Sequence, residues 1–304
     1  MELSIVVPTL DGREQLVATL DSIATDVPAA EVIVVNGPST DGTTGMVRDR
    51  SDVDVLVELA DRSVNAARNA GIDRATGDVI ALLNQGHSLT DGWFAALEGG
   101  LQEAAVVTGP SHRSVRAGKT TEAVERQTIA GRSVTYLNPG NLALAREAID
   151  DLDGFDEYLD VGGARDLAHR IAGTDYTVAW KPELAVERVV GADGGNPRRD
   201  WRQKYRSLAY RLLKNYGLRP ASVARLCRQA TVDGSGALSD VFDGEQNPST
   251  WLASGRDVLA GIARGGFDGL VARARDRSAR RNPQGRSSRR DRTVAVYEPS
   301  NVTQ

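Results

Sequence analysis

The chain has 304 residues, a formal net charge of −4, 26% charged residues and one cysteine, Cys227. That length can bury one large core or two modest ones. A lone thiol excludes an intramolecular disulfide framework and fits a reducing compartment, and no apolar run approaches the ~20 residues of a membrane-spanning helix. The small net charge hides an asymmetry. Between Val271 and Arg292 nine arginines stand against two aspartates, a net of +7, so with Glu298 set aside the first 270 residues carry about −10. Lysine is confined to Lys119, Lys181, Lys204 and Lys214. An acidic, lysine-poor body suits a high-salt interior, and high genomic GC content would give the same bias toward arginine.

The chain opens on an apolar strand, Leu3 to Pro8, where a leader would show a basic stretch and an apolar core; this predicts a cytoplasmic protein. A helix is predicted over Gln15 to Ala24, with Leu16, Leu20 and Ile23 on one face. Glu31-Val32-Ile33-Val34-Val35 reads as a buried strand. It ends in Asn36 and the turn Gly37-Pro38-Ser39-Thr40-Asp41-Gly42, before a helix beginning at Thr43. Such a strand, loop and helix N-terminus is where parallel α/β sheets place nucleotides. A helix over Ser63 to Ala75, a strand over Asp78 to Leu83 and a helix over Trp93 to Glu103 follow. Residues 111–135 are polar and irregular, as in a surface loop or lid. Then come a strand over Tyr136 to Ala145, short helices from Arg146 and from Asp166, and the last strands between Thr177 and Val186.

After Asn196 the pattern changes. Trp201, Tyr205, Leu208, Leu212 and Tyr216 form one apolar helical stripe flanked by Arg202, Lys204, Arg206, Arg211 and Lys214. Such a helix can lie on a membrane surface or pack on the body with its charges in water. One or two helices over Trp251 to Arg275, interrupted at Gly265-Gly266, and a disordered basic tail from Ser278 complete the reading. The predicted division is 1–195, 196–276 and 277–304.

Several motifs fall in a fixed order: Pro8-Thr9 with Asp11; Asn36 and the turn after it; Asn65 and Ala67-Arg68-Asn69-Ala70-Gly71; Gly140-Asn141; Gly154-Phe155-Asp156-Glu157; and Asp166-Leu167 with Arg170. In this order they resemble the inverting family-2 glycosyltransferases, over Ser4 to about Val190. The resemblance implies a GT-A fold: a Rossmann-like α/β architecture, its mostly parallel sheet carrying helices on both faces, here with C-terminal amphipathic helices. It also implies a nucleotide-sugar site lined by Pro8, Thr9, Asp11, Asn36, Arg68, Asn69 and Asn84, with Asn141 and Asp156 on the acceptor side.

The departures concern mechanism. The family's Asp-x-Asp metal motif falls on Asn84-Gln85-Gly86, followed by His87, a weak candidate ligand. A hard divalent cation such as Mn²⁺ or Mg²⁺ wants carboxylates, so a metal cofactor is doubtful. The family's metal-binding His falls on Arg188. A guanidinium suits phosphate oxygens, so Arg188 and Arg68 are expected near the diphosphate; the alternative for Arg188 is a surface ion pair. The family's acidic pair before Asp166 reads Gly163-Ala164. Asp166 is the expected base, with Asp160 as substitute; Asp166 reads equally well as a first-turn carboxylate stabilising the helix dipole.

The resemblance, closest to archaeal Agl-type transferases of surface-layer protein N-glycosylation, implies transfer of a hexose or hexuronic acid to a lipid-linked, dolichol-phosphate glycan at the inner face of the cell membrane. The alternative is a non-catalytic homologue that binds a nucleotide sugar or a partner transferase. No phosphate-gripping Gly-rich loop with a lysine lies near the first strand, which argues against a nucleotidyltransferase. The acidic body and 5% aromatic content argue against nucleic acid.

Overall fold

The computed structural model describes residues 1–115, 118–120, 123–188, 200–242 and 247–298. The N-terminal third alternates as the sequence predicts: β1 (Leu3–Thr9), α1 (Arg13–Asp26), β2 (Glu31–Asn36), α2 (Thr43–Arg48), β3 (Val55–Leu59), α3 (Val64–Arg74) and β4 (Val79–Leu83). Strand β3 is an element the sequence reading passed over. There follow β5 (His87–Leu89), α4 (Trp93–Glu103), β6 (Val106–Thr108), β7 (Ser111–Val115), β8 (Gly118–Thr120), β9 (Arg126–Ile129), β10 (Arg132–Thr135), β11 (Asn141–Ala145), α5 (Arg146–Asp151), α6 (Gly163–Ile171), β12 (Val178–Trp180) and β13 (Val186–Arg188). Three helices, α7 (Trp201–Tyr216), α8 (Pro220–Phe242) and α9 (Pro248–Arg275), precede the final strand β14 (Thr293–Tyr297).

The main sheet runs in the order β12-β6-β11-β4-β1-β2-β3-β14. Strands β4, β1, β2 and β3 are parallel, β11 is antiparallel between β4 and β6, and β14 is antiparallel on β3. The parallel strands read as nearly continuous apolar runs because both faces are covered. Val6, Ile33 and Val35 point into one core with Ala67, Ile72, Leu167 and Leu212. Ile5, Val7 and Val34 point into the other with Leu16, Leu20 and Ile23, the face read on α1. A smaller sheet, β5-β13-β7-β8, sets Arg188 opposite His87. The stretch 111–135, read as irregular, carries four short strands, and only 141–145 of the strand expected from Tyr136 is extended.

The C-terminal helices are part of the body. Tyr205, Leu212 and Tyr216 of the α7 stripe are buried and join the body or its neighbouring helices. Trp201 and Leu208 are half-buried, so most of the stripe's apolar face is turned into the molecule. Helix α9 is continuous through Gly265-Gly266, where a break was expected. Its glycines serve contact instead: a Cβ on Gly261, Gly265 or Gly269 would stand 2.5, 2.0 and 2.6 Å from the carbonyl oxygens of Arg202, Arg206 and Tyr210. The paired positions advance together, so α7 and α9 lie parallel and nearly backbone to backbone.

The tail expected to be disordered is also built in, as far as Glu298. Strand β14 completes the sheet edge, and the arginines before it pair with acids of the body. Arg286 reaches Asp73 and Asp150, Arg289 reaches Asp61, and Arg292 reaches Glu157 and Asp73. Much of the charge asymmetry of the sequence is thus complementarity within the molecule. The last six residues lie outside the described ones.

Candidate active site

Strands β1 to β4 point their C-terminal ends toward the same edge, and the loops there enclose a cavity of about 1030 Å³. This is where open α/β sheets bind ligands. Pro8, Thr9 and Leu10 line it after β1, Asp61 to Asn65 and Arg68 on the way into α3, and Asn84 and Gln85 after β4. Tyr136 and Asn138, the turn from Asp160 to Arg165, and Trp180 and Arg188 close the other sides.

Arg68 dominates the electrostatics. It is 4% exposed. Its Nη1 donates to Asn65 Oδ1 at 3.3 Å and its Nη2 to the Pro139 carbonyl at 2.8 Å and Asn84 Oδ1 at 3.3 Å. The guanidinium lies 5.1 Å from the Phe155 ring centroid. No carboxylate pairs with it among the described residues, its Nε has no partner, and burial lowers its pKa to about 10. A buried cation without an anion is costly, and this one borders a cavity large enough for a nucleotide sugar.

Positions 84–86 do not fit a hard cation. Asn84 Oδ1 accepts from Arg68, while Gln85 Oε1 accepts from Thr9 Oγ1 at 2.5 Å and Leu10 N at 3.0 Å. His87 is buried, its Nδ1 has no partner, and its pKa is lowered by burial and by the nearby Arg188 charge. No group of three or more His, Cys, Asp or Glu side chains that could hold a metal occurs among the described residues. A donor set of two amides and one neutral imidazole, beside two guanidiniums, is poor for Mn²⁺ or Mg²⁺.

Asp166, expected as base, is placed elsewhere. Its carboxylate is fully buried and absent from the cavity wall. Arg170 Nε and Lys214 Nζ each donate to Oδ2 at 2.8 Å, and Asn215 Nδ2 donates to Oδ1 at 2.9 Å. Burial alone would raise its pKa, but Lys214 and Arg170 outweigh it and hold the carboxyl well below the usual range. A carboxylate so held is a poor proton acceptor and has no open path to a substrate. Asp156, expected on the acceptor side, belongs to the same cluster, accepting from Lys214 Nζ at 2.6 Å and Tyr210 Oη at 2.8 Å. Asn141 is equally structural: its Oδ1 accepts from Trp93 Nε1 at 3.0 Å, and its Nδ2 donates to the Leu184 carbonyl at 2.6 Å.

Three expected donor-site residues also stand behind the wall. Asn69 clasps the Gly154–Glu157 turn through Phe155 N, Phe155 O and Glu157 Oε1. Asn36 donates to Thr44 Oγ1 and accepts from Ser39 Oγ. Asp11, at φ 46°, accepts from Thr40 N at 2.8 Å and pairs with Arg62, a cavity residue, at 3.4 Å. Asn36 and Asp11 shape the β1 and β2 loops and Asn69 the Gly154–Glu157 turn, and none of the three lines the cavity. Of the expected set, Pro8, Thr9, Arg68, Asn84, Asp160 and Arg188 line it.

Among the described residues three carboxylates reach the cavity. Asp61 accepts from Ser63 N at 2.9 Å and pairs with Arg289 at 2.9 Å. Glu125 is gripped by both terminal nitrogens of Arg165. Asp160, on the turn into α6, accepts from Gln203 Nε2 at 3.3 Å. Asp61, Asn65, Glu125 and Arg165 were missed in the sequence reading as wall residues, although the loop leaving β3 could have been found by the same sheet-edge rule.

The model of glycosyl transferase family 2 matches residues 4–151. The chain is 24% identical over 200 residues to the glycosyltransferase AglE of Haloferax volcanii, covering 60% of this chain and 65% of that protein. It is 24% identical over 216 residues to the pre-mycofactocin glycosyltransferase of Mycobacterium tuberculosis, covering 66% of this chain and 44% of that one. The match thus spans about two thirds of the first relative and under half of the second. Among solved structures, S. aureus TarS 1-349 in complex with UDP-GlcNAc superposes with a TM-score of 0.60 at 15% identity, covering 91% of this chain and 92% of that one. The mannosyltransferase PcManGT of Pyrobaculum calidifontis, in complex with GDP-Man and Mn²⁺, gives 0.54 at 18%, covering 88% and 87%.

A mixed, mostly parallel sheet with a cavity at its strand ends, a GT-A-like fold, defines the class. Within it, residues 4–151 match glycosyl transferase family 2, and the chain resembles the Agl-type transferases.

Proposed function

We propose that the protein is an inverting glycosyltransferase that moves a hexose or hexuronic acid from a nucleotide sugar to a lipid-linked glycan, with dolichol phosphate as the carrier. Its place would be the cytoplasmic face of the membrane, in N-glycosylation or cell-surface glycan assembly. Among the described residues no helix is long and apolar enough to cross a membrane, so contact with the lipid would be peripheral. The observation that carries the reading is Arg68, a buried guanidinium on the wall of the cavity with no carboxylate partner among the described residues. A diphosphate supplies the missing anion. The relatives' names and the nucleotide sugars bound by TarS and PcManGT support the same donor class.

In this reading Arg68 and Arg188 hold the diphosphate and offset the charge that grows on it as the glycosidic bond breaks, the task a metal performs in other members. The transfer is then metal-independent or weakly metal-dependent. Asn84 and Asn65 orient Arg68 through the hydrogen bonds they accept. Asp160 takes the acceptor hydroxyl proton while that oxygen attacks the anomeric carbon from the opposite face. The bond to the diphosphate oxygen breaks, and the nucleoside diphosphate leaves with the bonding pair. Thr9 and Pro8 border the nucleotide end.

Purified protein mixed with UDP- and GDP-sugars and dolichol-phosphate-linked glycans, with products read by mass spectrometry, tests this directly. A glycan heavier by one sugar is expected. Donor binding by calorimetry without transfer across all pairs would instead favour a non-catalytic nucleotide-sugar binder.

A further inference from the structure

Four arginines from separate segments converge at the turn between α7 and α8. Arg273, near the end of α9, is fixed there. Its Nη1 donates to the carbonyls of Lys214 and Asn215 at 3.1 Å each, and its Nε lies 3.2 Å from where a Cβ on Gly217 would stand. Arg132 of β10 lies over the Tyr216 ring, 5.6 Å from its centroid. Arg219 follows Gly217 by two residues, its amide donating to the Gly217 carbonyl. Arg281 comes from the segment after α9, with a left-handed backbone at φ 44°.

These guanidiniums act on one another. Burial lowers the pKa of Arg273, and the charges of Arg281, Arg219 and Arg132 lower it further. Arg281 is lowered by burial and by Arg132 and Arg219, against a single attraction, from Asp276. Among the described residues none of the four forms an ion pair with a carboxylate. Arg286, Arg289 and Arg292 are different, since each is paired with a carboxylate. Beside the cluster, Leu218 is 69% exposed and Val223 is 44% exposed. The rings of Tyr216 and His169 stand between it and Tyr136 on the cavity wall.

We propose that this turn docks the protein on an anionic lipid surface, with Leu218 and Val223 entering the acyl boundary and Arg132, Arg219, Arg273 and Arg281 meeting headgroup phosphates. Charge and apolarity occur together here, and a lipid surface answers both. A dissolved phosphate would balance the arginines and leave Leu218 in water. The inference deepens the proposed function and rests on its lipid-linked acceptor. It also relocates the membrane contact, since most of the α7 stripe is buried and much of the tail's charge is already paired.

Co-sedimentation with phosphatidylglycerol vesicles and with phosphatidylcholine vesicles tests it, on the full chain and on Arg219→Glu, Leu218→Ser and the double variant. The wild type is expected to bind the anionic vesicles and not the zwitterionic ones. Reversing one charge is expected to weaken that binding by at least about tenfold at ~0.1 M salt, and Leu218→Ser to weaken it severalfold. Thermal melting should be unchanged, because both side chains are exposed. Equal vesicle binding by wild type and double variant would overturn the proposal. So would absence of binding by the wild type, or retention of inorganic phosphate alone. Transfer to a short, water-soluble acceptor separates this from the catalytic reading: it should survive in the double variant, whereas its absence in a wild type that binds vesicles would count against the catalytic reading alone.

Discussion

Arg68 Nη2 lies 3.3 Å from Asn84 Oδ1, so a guanidinium leans on the residue that stands where the family's metal motif begins. The cation and the amide form one wall. Restoring the carboxylate with Asn84→Asp is expected to create an ion pair with Arg68, weakening donor binding roughly tenfold with no rescue by Mn²⁺. Arg68→Gln is expected to cut kcat/KM by about 10²–10³, the scale of losing one preorganised donor to a developing charge. Arg68→Lys should recover only part of this, since a point charge lacks the planar fork. Steady-state kinetics on the three variants checks these outcomes.

Asp160 and Asp166 are expected to separate cleanly. Asp160→Asn should lower kcat by about 10²–10⁴ with an unchanged melting temperature, as for loss of a general base. Asp166→Asn should destabilise the fold by about 3–5 kcal/mol, because Lys214 and Arg170 would be left buried without their full countercharge. Melting curves beside initial rates distinguish the two. Full stability with lost activity in Asp166→Asn would restore it as the base.

Stability should fall on acidification from neutral pH. His169 Nδ1 lies 2.9 Å from the Tyr216 hydroxyl in a buried site, where burial and then the Arg211 charge hold its pKa down to about 3, against an ordinary 6.5. Between those values the unfolded chain binds the extra proton, so stability drops as pH falls from about 6.5 toward 3. Asp166 is also depressed, from an ordinary 3.8. Its contribution is present above about pH 4 and is lost only as pH falls through its lowered value. Melting temperatures across this range should decline from about pH 6.5, and the decline should be shallower in His169→Gln.

The glycines of α9 give paired controls. Gly265→Ala would place a methyl 2.0 Å from the Arg206 carbonyl, and separating α7 from α9 should cost about 1–3 kcal/mol. At Gly255 a Cβ meets nothing within 4 Å, so alanine there should stabilise by up to about 1 kcal/mol through helix propensity. Chemical denaturation of both variants tests the packing.

Local patterns carried β1, β2 and β4, because apolar strands ending in small-residue loops are visible without tertiary context, whereas β3, β6 and β14 of the same sheet went unread. Thr9, Arg68 and Asn84 were expected from the family resemblance and do line the cavity. What escaped the sequence depends on partners distant along the chain. Asp166 resembles a helix-start carboxylate or a base until Lys214, 48 residues on, is seen beside it. The basic tail looks disordered by composition, yet Arg289 and Arg292 meet Asp61 and Glu157. The α7 stripe reads as free or docked with equal ease, and only its packing against α9 and the body decides. Gly265-Gly266 looks like a helix break unless the approach of α7 to Gly265 is known.

The most direct test of a transferase in which arginine replaces the metal is the rate of sugar transfer by the wild-type protein in excess EDTA, with the matched donor and lipid-linked acceptor. Transfer is expected to proceed at nearly the untreated rate and to change little on adding Mn²⁺ or Mg²⁺. Transfer that stops in EDTA and returns with either ion would contradict the assignment of the diphosphate charge to Arg68 and Arg188.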